Sequence, residues 1–544
     1  MEKGPYKLHE LIGDPIENFH QLGVQDKKFF KKSRPHLESL LSTPWKVTDQ
    51  IIQASLKKLV KSIPQKASPL DPWLKSYAEG LHVPLEDLRF TLLVPELVSS
   101  LTKWFPKTPL PTSMVGCSSF LYHQETSKMV RLLDFPLGTS YTNGERAILY
   151  QFANAPKVFT LSSAGLPFAG LTSMTSHGIN FSLHQKFSNI FEARGLPIFD
   201  YVMMLLLECE NKNDVLKFIK KYPTKTLWGM HFTFPDDEAL IVDVAYKNIV
   251  KEEFTLKTPR SKIFYFNNVP LGLTLEKFKE NPLVPLGIPK YCEDREISAQ
   301  NKIKELKPLI KKAKHEADLL KEICKYQKLT DGTPWIMDCL TPSTLSASLF
   351  DAVNGRAWAI LGEAPKYHTG KIQHFTQLWS TPQDQILADK SHEYNKQAQN
   401  ALGHYMEAQK YYDLKDWHLS FHHLQMSIAN SRHLAEKNIA QFFLLVFRYI
   451  HDRKKPIRHA LAQEFLEILP ELPEYLADHA RLFILRLYVE IGDVCPVKLK
   501  EIKHPVLKKL HQKERKYAVV FFRFILPHLC FPRLDITDII YLHA

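Results

Sequence analysis

At 544 residues the chain is too long for a single hydrophobic core and holds about three or four domains of ordinary size. Its 44% hydrophobic and 24% charged residues exclude a disordered protein, and the lack of any apolar run near the ~18 residues of a membrane span excludes a helical membrane protein. The net charge of +13 raises a nucleic-acid reading, but no DNA or RNA recognition motif accompanies it, and nucleic acid is not an expected partner.

No apolar core of signal-peptide length follows Met1 to Tyr6. The cysteines at 117, 209, 292, 324, 339, 495 and 530 have no short paired spacing. Neither a zinc site nor a disulfide framework is therefore expected, and a reducing, cytoplasmic location is the simpler inference. Residues 1–116 read as mostly helical: Pro35 to Leu41, Val47 to Ile63 and Pro72 to Leu81 have helical apolar spacing, with Asp49 and Asp71 as start signals. Pro106 to Ser113 then forms an extended, proline-rich approach to Gly116.

From Cys117 the pattern changes to strands. Cys117 to Tyr122 reads as one strand, His123 to Ser127 as a polar turn and Lys128 to Phe135 as the returning strand. Antiparallel pairing brings Arg131 and Asp134 back beside Cys117. If the Gly116–Cys117 bond is broken, Cys117 gains an α-amine of pKa roughly 8, able to take the proton from its own thiol. Asp134 can hold that amine and Arg131 can orient Asp134; a buried structural thiol beside an exposed ion pair is the plain alternative.

Further landmarks follow. They are the segments Gly165 to Ser182, Ile198 to Leu207 with Asn213-Asp214-Val215, and Trp228 to Val244. Phe266-Asn267-Asn268-Val269-Pro270 is followed much later by the segment Thr341 to Gly362, in which Asn354-Gly355 is a strong turn signal. Taken together, Cys117, Arg131-Leu132-Leu133-Asp134-Phe135-Pro136 and these landmarks resemble the N-terminal-nucleophile (Ntn) cysteine hydrolases of the choloylglycine hydrolase, acid ceramidase and isopenicillin N acyltransferase-like group.

The resemblance implies an α+β fold in which Gly165 to Ser182 form paired strands, Ile198 to Leu207 and the segment at Asn213-Asp214-Val215 a helix pair over the sheet, and Trp228 to Val244 and Thr341 to Gly362 hairpins. Residues 1–116 would be a helical pro-region cleaved at Gly116/Cys117 yet retained, and 117–382 a four-layered αββα catalytic sandwich. It also implies Cys117 as nucleophile and base, Arg131 and Asp134 as its partners, and Asn268 as an oxyanion donor. Thr175 stands where the family usually has asparagine, and Gln185 stands near the place of a second one. With Asn267 these are candidate oxyanion or pocket residues. The family's distal arginine has no clear counterpart, Arg295 being the nearest in order. The implied substrate is a small N-acyl amide, cleaved without metal or other cofactor. Phe135, Leu137, Phe159, Phe168 and Phe181 hint at a fatty or aromatic acyl chain, which core packing explains equally well.

Residues 383–544 read as an all-α domain resembling a tetratricopeptide array, without a clean repeat. Its helices are expected at Ser391 to Tyr412, Trp417 to Glu436, Ile439 to Arg453, Ile457 to Leu469, Leu476 to Ile491 and Glu514 to Leu529, and it could bind a protein partner. The lysines of Lys302 to Lys328 read as a solvated helix, while the basic surface leaves open a peripheral contact with anionic membrane. His177, His184, His422 and His423 read as scattered surface residues. Two alternatives to an amidohydrolase stay open: an acyltransferase that passes the acyl group to an amine, and a catalytically degenerate scaffold built around the helical domain.

Overall fold

The computed structural model describes residues 5–38, 46–62, 68–104, 116–135, 140–188, 190–258, 262–274, 277–278, 287–312, 316–327, 329 and 338–541. The proline-rich approach to Gly116, and Leu137 with it, lie outside the described residues.

The N-terminal region opens with a strand, β1 (Lys7–Ile12), followed by helices α1 (Pro15–Glu38), α2 (Lys46–Ser62), α3 (Asp71–Leu81) and α4 (Leu85–Trp104). Pro35, expected to start a helix, lies inside the end of α1. α1 and α3 touch backbone to backbone, because a Cβ on Gly23 would lie 2.3 Å from the Tyr77 carbonyl oxygen and one on Gly80 2.2 Å from that of His20.

The middle of the chain contributes β2 (Gly116–Gln124), β3 (Thr126–Asp134), β4 (Glu145–Gln151), β5 (Val158–Ser163), β6 (Thr172–Thr175) and β7 (Asn180–Gln185). Helices α5 (Ile198–Glu208) and α6 (Lys212–Lys221) follow, then β8 (Leu227–Thr233), β9 (Glu238–Ala245), β10 (Asn248–Thr255) and β11 (Ile263–Phe266). After α7 (Gly287–Lys312) and α8 (Glu316–Ile323) come β12 (Thr344–Asp351), β13 (Arg356–Ile360), β14 (Lys371–Thr376) and β15 (Gln383–Ala388).

These strands form two sheets, ordered β1-β4-β5-β6-β7-β8-β9-β10 and β11-β2-β3-β12-β13-β14-β15. Two boundaries drawn from sequence shift as a result. β1 pairs in parallel with β4, so the N-terminal region is built into the first sheet, and β15 extends the second sheet past residue 382.

The sheets meet face to face through buried polar contacts. Asn180 donates to the Ser127 carbonyl at 3.1 Å and accepts from the Ala352 amide at 3.0 Å, and Ser119 Oγ lies 2.9 Å from Ser182 Oγ. One apolar cluster joins Ile148, Phe181 and Met230 of the first sheet to α1, α3, α5 and α6. Another joins Phe120, Val130 and Trp358 of the second sheet to α7, α8 and the C-terminal helices. Strict alternation along β2 explains the division, with Cys117 and Ser119 on one face and Ser118 and Phe120 on the other.

The C-terminal helices are α9 (Lys396–Asp413), α10 (Trp417–Asn430), α11 (Leu434–His451), α12 (Lys455–Ile468), α13 (Glu474–Ile491), α14 (Pro505–Glu514) and α15 (Val519–Phe524). Where one helix was expected from Glu514 to Leu529, the chain breaks into shorter turns. It then forms a hairpin, β16 (Cys530–Arg533) and β17 (Asp538–Tyr541), so this region is not purely helical. No helix among the described residues is long and apolar enough to cross a membrane.

Candidate active site

The β2/β3 hairpin places the centre of the site. Its strands close around Glu125, whose φ of 62° gives a turn tighter than the expected His123 to Ser127. The resulting register sets Gly116 opposite Asp134, Cys117 opposite Leu133 and Ser119 opposite Arg131. Cys117 is fully buried, in one apolar cluster with Leu133, Phe135 and Leu345 and with Leu56 and Val60 of α2 and Phe90, Leu93 and Leu97 of α4. Of the apolar residues first suggested to line a pocket, Phe135 belongs to this cluster. Phe159 packs with residues of both sheets, and Phe168 and Phe181 pack in the cluster of the first sheet and its helices.

The Arg131 guanidinium lies against the Cys117 thiol, its Nη2 donating to Cys117 Sγ at 2.5 Å and to the Leu183 carbonyl at 2.5 Å. Its Nη1 donates to His184 Nε2 at 2.9 Å. Because arginine can only donate, that ring nitrogen accepts and His184 is a neutral tautomer protonated at Nδ1. Burial, the stacked His231 ring 3.8 Å away and Arg131 all keep His184 uncharged. The sequence reading that put His184 on the surface is corrected: it is buried between the sheets.

A second buried arginine organises the other side. Arg295 Nη1 pairs with Asp134 Oδ2 at 2.9 Å and reaches the Cys117 carbonyl at 3.4 Å, while its Nη2 donates to Asn268 Oδ1 at 2.8 Å. Thr344 Oγ1 donates to Asp134 Oδ1 at 2.7 Å and Tyr291 OH to Oδ2 at 3.4 Å. Arg131 was expected to orient Asp134; the structure gives that pairing to Arg295 and turns Arg131 to the thiol. Arg131 and Asp134 lie three residues apart on one strand and so project to opposite faces, which separates their roles.

The Cys117 amide donates to Asn268 Oδ1 at 2.9 Å. Two donors, Cys117 N and Arg295 Nη2, converge on that one atom, so it is the oxygen of the side-chain amide. The Asn268 NH2 group donates instead to the Gln185 carbonyl at 2.9 Å. Asn268, expected to offer N–H groups to an oxyanion, thus turns its acceptor toward Cys117. Lys186 pins the loop around it, donating to the carbonyls of Asn267 at 3.0 Å and Val269 at 2.8 Å.

Three other candidates lie elsewhere. Asn267 ties the loop to α7, donating to the Cys292 carbonyl at 3.3 Å. The Gln185 side chain points out to the Pro95 carbonyl of α4 at 3.4 Å. Thr175 sits where β6 turns into β7, its amide bonded to the Ile179 carbonyl, whereas Cys117 lies near Leu183. Ile179 and Leu183 are four residues apart in extended chain, roughly 13 Å at about 3.3 Å per residue.

Burial raises the Cys117 thiol above its ordinary pKa, an effect that Arg131 opposes and Asp134 reinforces. The sulfur is therefore held as a thiol beside a cation that would favour its ionised form. Gly116 is the residue the adjoining backbone position admits: a Cβ there would meet Asp134 Oδ2 at 2.9 Å and Asp134 Cβ at 3.1 Å. Among the described residues, no group of three or more His, Cys, Asp and Glu is arranged to hold a metal ion.

Neither a comparison with family models nor one with curated proteins finds a match to this chain. Among solved structures, it is similar to an N-acylethanolamine-hydrolyzing acid amidase ortholog from Caenorhabditis elegans, with 11% identity over 44% of this chain and 93% of that one and a TM-score of 0.31. It is also similar to penicillin V acylase from Agrobacterium tumefaciens, with 11% identity over 51% of this chain and 100% of that one and a TM-score of 0.29.

Proposed function

We propose that this chain is a self-processing cysteine amidohydrolase of the N-terminal-nucleophile type, with its two sheets and flanking helices forming an αββα sandwich. The observation that carries the reading is the double clamp on Cys117: Arg131 on its sulfur, and Asn268 with the Asp134–Arg295 pair around its nitrogen.

Processing is an attack of Cys117 Sγ on the Gly116 carbonyl. The Gly116–Cys117 C–N bond breaks as the thiol proton passes to nitrogen, leaving a Gly116 thioester and a free Cys117 amine. Water then hydrolyses the thioester, giving the Gly116 carboxylate and restoring the thiol. Residues 1–116 stay bound as a pro-region, because β1 is hydrogen-bonded into the first sheet and Asp26 of α1 forms a buried pair with Arg146 of β4 at 2.5 Å.

Turnover repeats the same bonds on a non-peptide N-acyl amide. The freed α-amine, its lone pair oriented by Asn268 Oδ1 and Asp134, takes the thiol proton and delivers it to the departing amine, while Arg131 stabilises the thiolate. Water releases the acid; an amine in its place would make the enzyme an acyltransferase.

The test is acid quenching during incubation with N-acyl 7-amido-4-methylcoumarins from acetyl to palmitoyl. An acyl mass on the Cys117 peptide, absent from Cys117→Ala, supports the thioester. Cleaved protein that never carries an acyl group across that series contradicts it. Adding glycine separates the two outcomes, since N-acylglycine marks transfer and free acid marks hydrolysis.

A further inference from the structure

The C-terminal hairpin reaches the catalytic centre. Between β16 and β17 the chain turns through Leu534–Thr537, and Ile536 at that turn is 8% exposed, packed with Phe278, Ile288, Tyr291 and Cys292. With Phe187 it walls a cavity whose other end is polar, made by Gly116, Asn268 and Arg295. Ile288, Tyr291, Cys292 and Arg295 lie on one stripe of α7, spaced by three and four residues, so a single helix face supplies both the apolar side of the cavity and the cation that holds Asp134.

The turn is held rigidly. Leu534 N donates to Gln409 Oε1 of α9 at 2.6 Å, and Arg533 bridges Asp413 of α9 at 2.9 Å and Asp535 at 2.5 Å. Thr537 adopts a left-handed φ of 52°, and the Tyr541 hydroxyl is 2.7 Å from His479 of α13. Ile536 is therefore held by the C-terminal helices, while its side chain packs on α7.

The free space of the cavity is about 10 Å³, room for about one water. Gly116 is one of its walls, and cleavage at Gly116/Cys117 would free that wall to move away. The same sulfur would attack the Gly116 carbonyl in processing and the substrate carbonyl in turnover, so the substrate's acyl group must take the place that Gly116 occupies in the uncut chain. We propose that this cavity is the acyl subsite, and that Ile536 of the C-terminal hairpin is its outer wall and sets the length of the apolar acyl group admitted. The inference rests on the amidohydrolase reading for its substrate, and on the packing alone for its wall.

The test uses the full chain with Ile536→Ala, Ile536→Phe and the milder Ile536→Val, and Val494→Trp at a site 94% exposed as the control. Two readouts are taken. The first is the rate at which iodoacetamide alkylates Cys292, which lines the cavity, with Cys324 and Cys339 of the neighbouring core as internal reporters of an intact fold. The second is the ratio of kcat/KM for octanoyl over acetyl 7-amido-4-methylcoumarin.

Ile536→Ala is expected to speed Cys292 alkylation at least tenfold with Cys324 and Cys339 unmoved, and to raise the octanoyl ratio at least tenfold. Ile536→Phe is expected to lower both, Ile536→Val to shift both slightly upward, and Val494→Trp to leave both unchanged. An unchanged Cys292 rate in Ile536→Ala overturns the wall, whether or not amides are turned over. A faster Cys292 with an unchanged ratio overturns the specificity role. A faster Cys292 in a protein that hydrolyses no amide overturns the amidohydrolase reading and leaves Ile536 as the wall.

Discussion

Replacing Arg295 with methionine isolates the pairing on which the site depends. The substitution keeps a long side chain on α7 but strips Asp134 of its cation at 2.9 Å, in a place where both side chains are about 1% exposed. Removing one partner of a buried ion pair costs about 3–5 kcal/mol, because the remaining charge is left uncompensated. Thr344 and Tyr291 still donate to Asp134, which favours the lower half of that range. Hydrogen exchange of the β2 and β3 peptides reads this local stability without needing the whole multi-domain chain to unfold in one step. At 1.4 kcal/mol per tenfold, opening should quicken by roughly two to three powers of ten. Adding Asp134→Asn should recover much of the loss, a coupling of at least about 2 kcal/mol, whereas Arg131→Met with Asp134→Asn should be closer to additive, within about 1 kcal/mol. A larger coupling of Asp134 to Arg131 than to Arg295 would refute the assignment.

Three further outcomes follow from the same geometry. Because burial raises the Cys117 thiol, self-cleavage should quicken about tenfold per pH unit through neutrality and keep rising past the ordinary thiol value of about 8.5; a plateau below pH 8 in a timed mass assay would contradict this. Gly116→Ala forces a Cβ to 2.9 Å from Asp134 Oδ2 and should slow cleavage at least tenfold in the same assay, with Gly116→Val slower still. Burial raises Glu96 of α4 from 4.5 to about 7, so the folded state keeps a proton that the unfolded chain loses. Stability of the N-terminal helical region around α4 should therefore fall as pH rises from 4.5 to about 7, by on the order of 3 kcal/mol, and then level off. Glu96→Gln, which can still accept from the Ile198 amide, should flatten that dependence in hydrogen exchange of the α4 peptides.

What the sequence made legible were the features written in local period. The β2/β3 hairpin shows itself by alternation, and once it is paired, the nearness of Asp134 to Gly116 follows from register. The helix pair α5 and α6 and the hairpin β8/β9 were found through the resemblance to a known family, and they lie where it put them. Arg295 was named only as the nearest in order to the resembled group's distal arginine, because its charged neighbours Asp294 and Glu296 give no local sign that it is buried. The signal that could have found it is the stripe Ile288, Tyr291, Cys292, Arg295, which places the arginine on an apolar helix face. β1 was missed because six mixed residues become a strand only by docking in parallel on β4, a long-range event without local trace. The β16/β17 hairpin was hidden by its four-residue strands and by Pro532, so its approach to Gly116 could not be foreseen. The separate duties of Arg131 and Arg295 likewise depend on which face each side chain leaves, a tertiary fact.

The most direct test of the central claim is the intact mass of the purified protein under denaturing conditions, beside its Cys117→Ala variant. The account expects two wild-type fragments meeting at Gly116/Cys117 and a single full-length chain in the variant. A wild-type chain that stays whole after incubation from mildly acidic to mildly alkaline pH would contradict it, and would leave Cys117 a buried structural thiol.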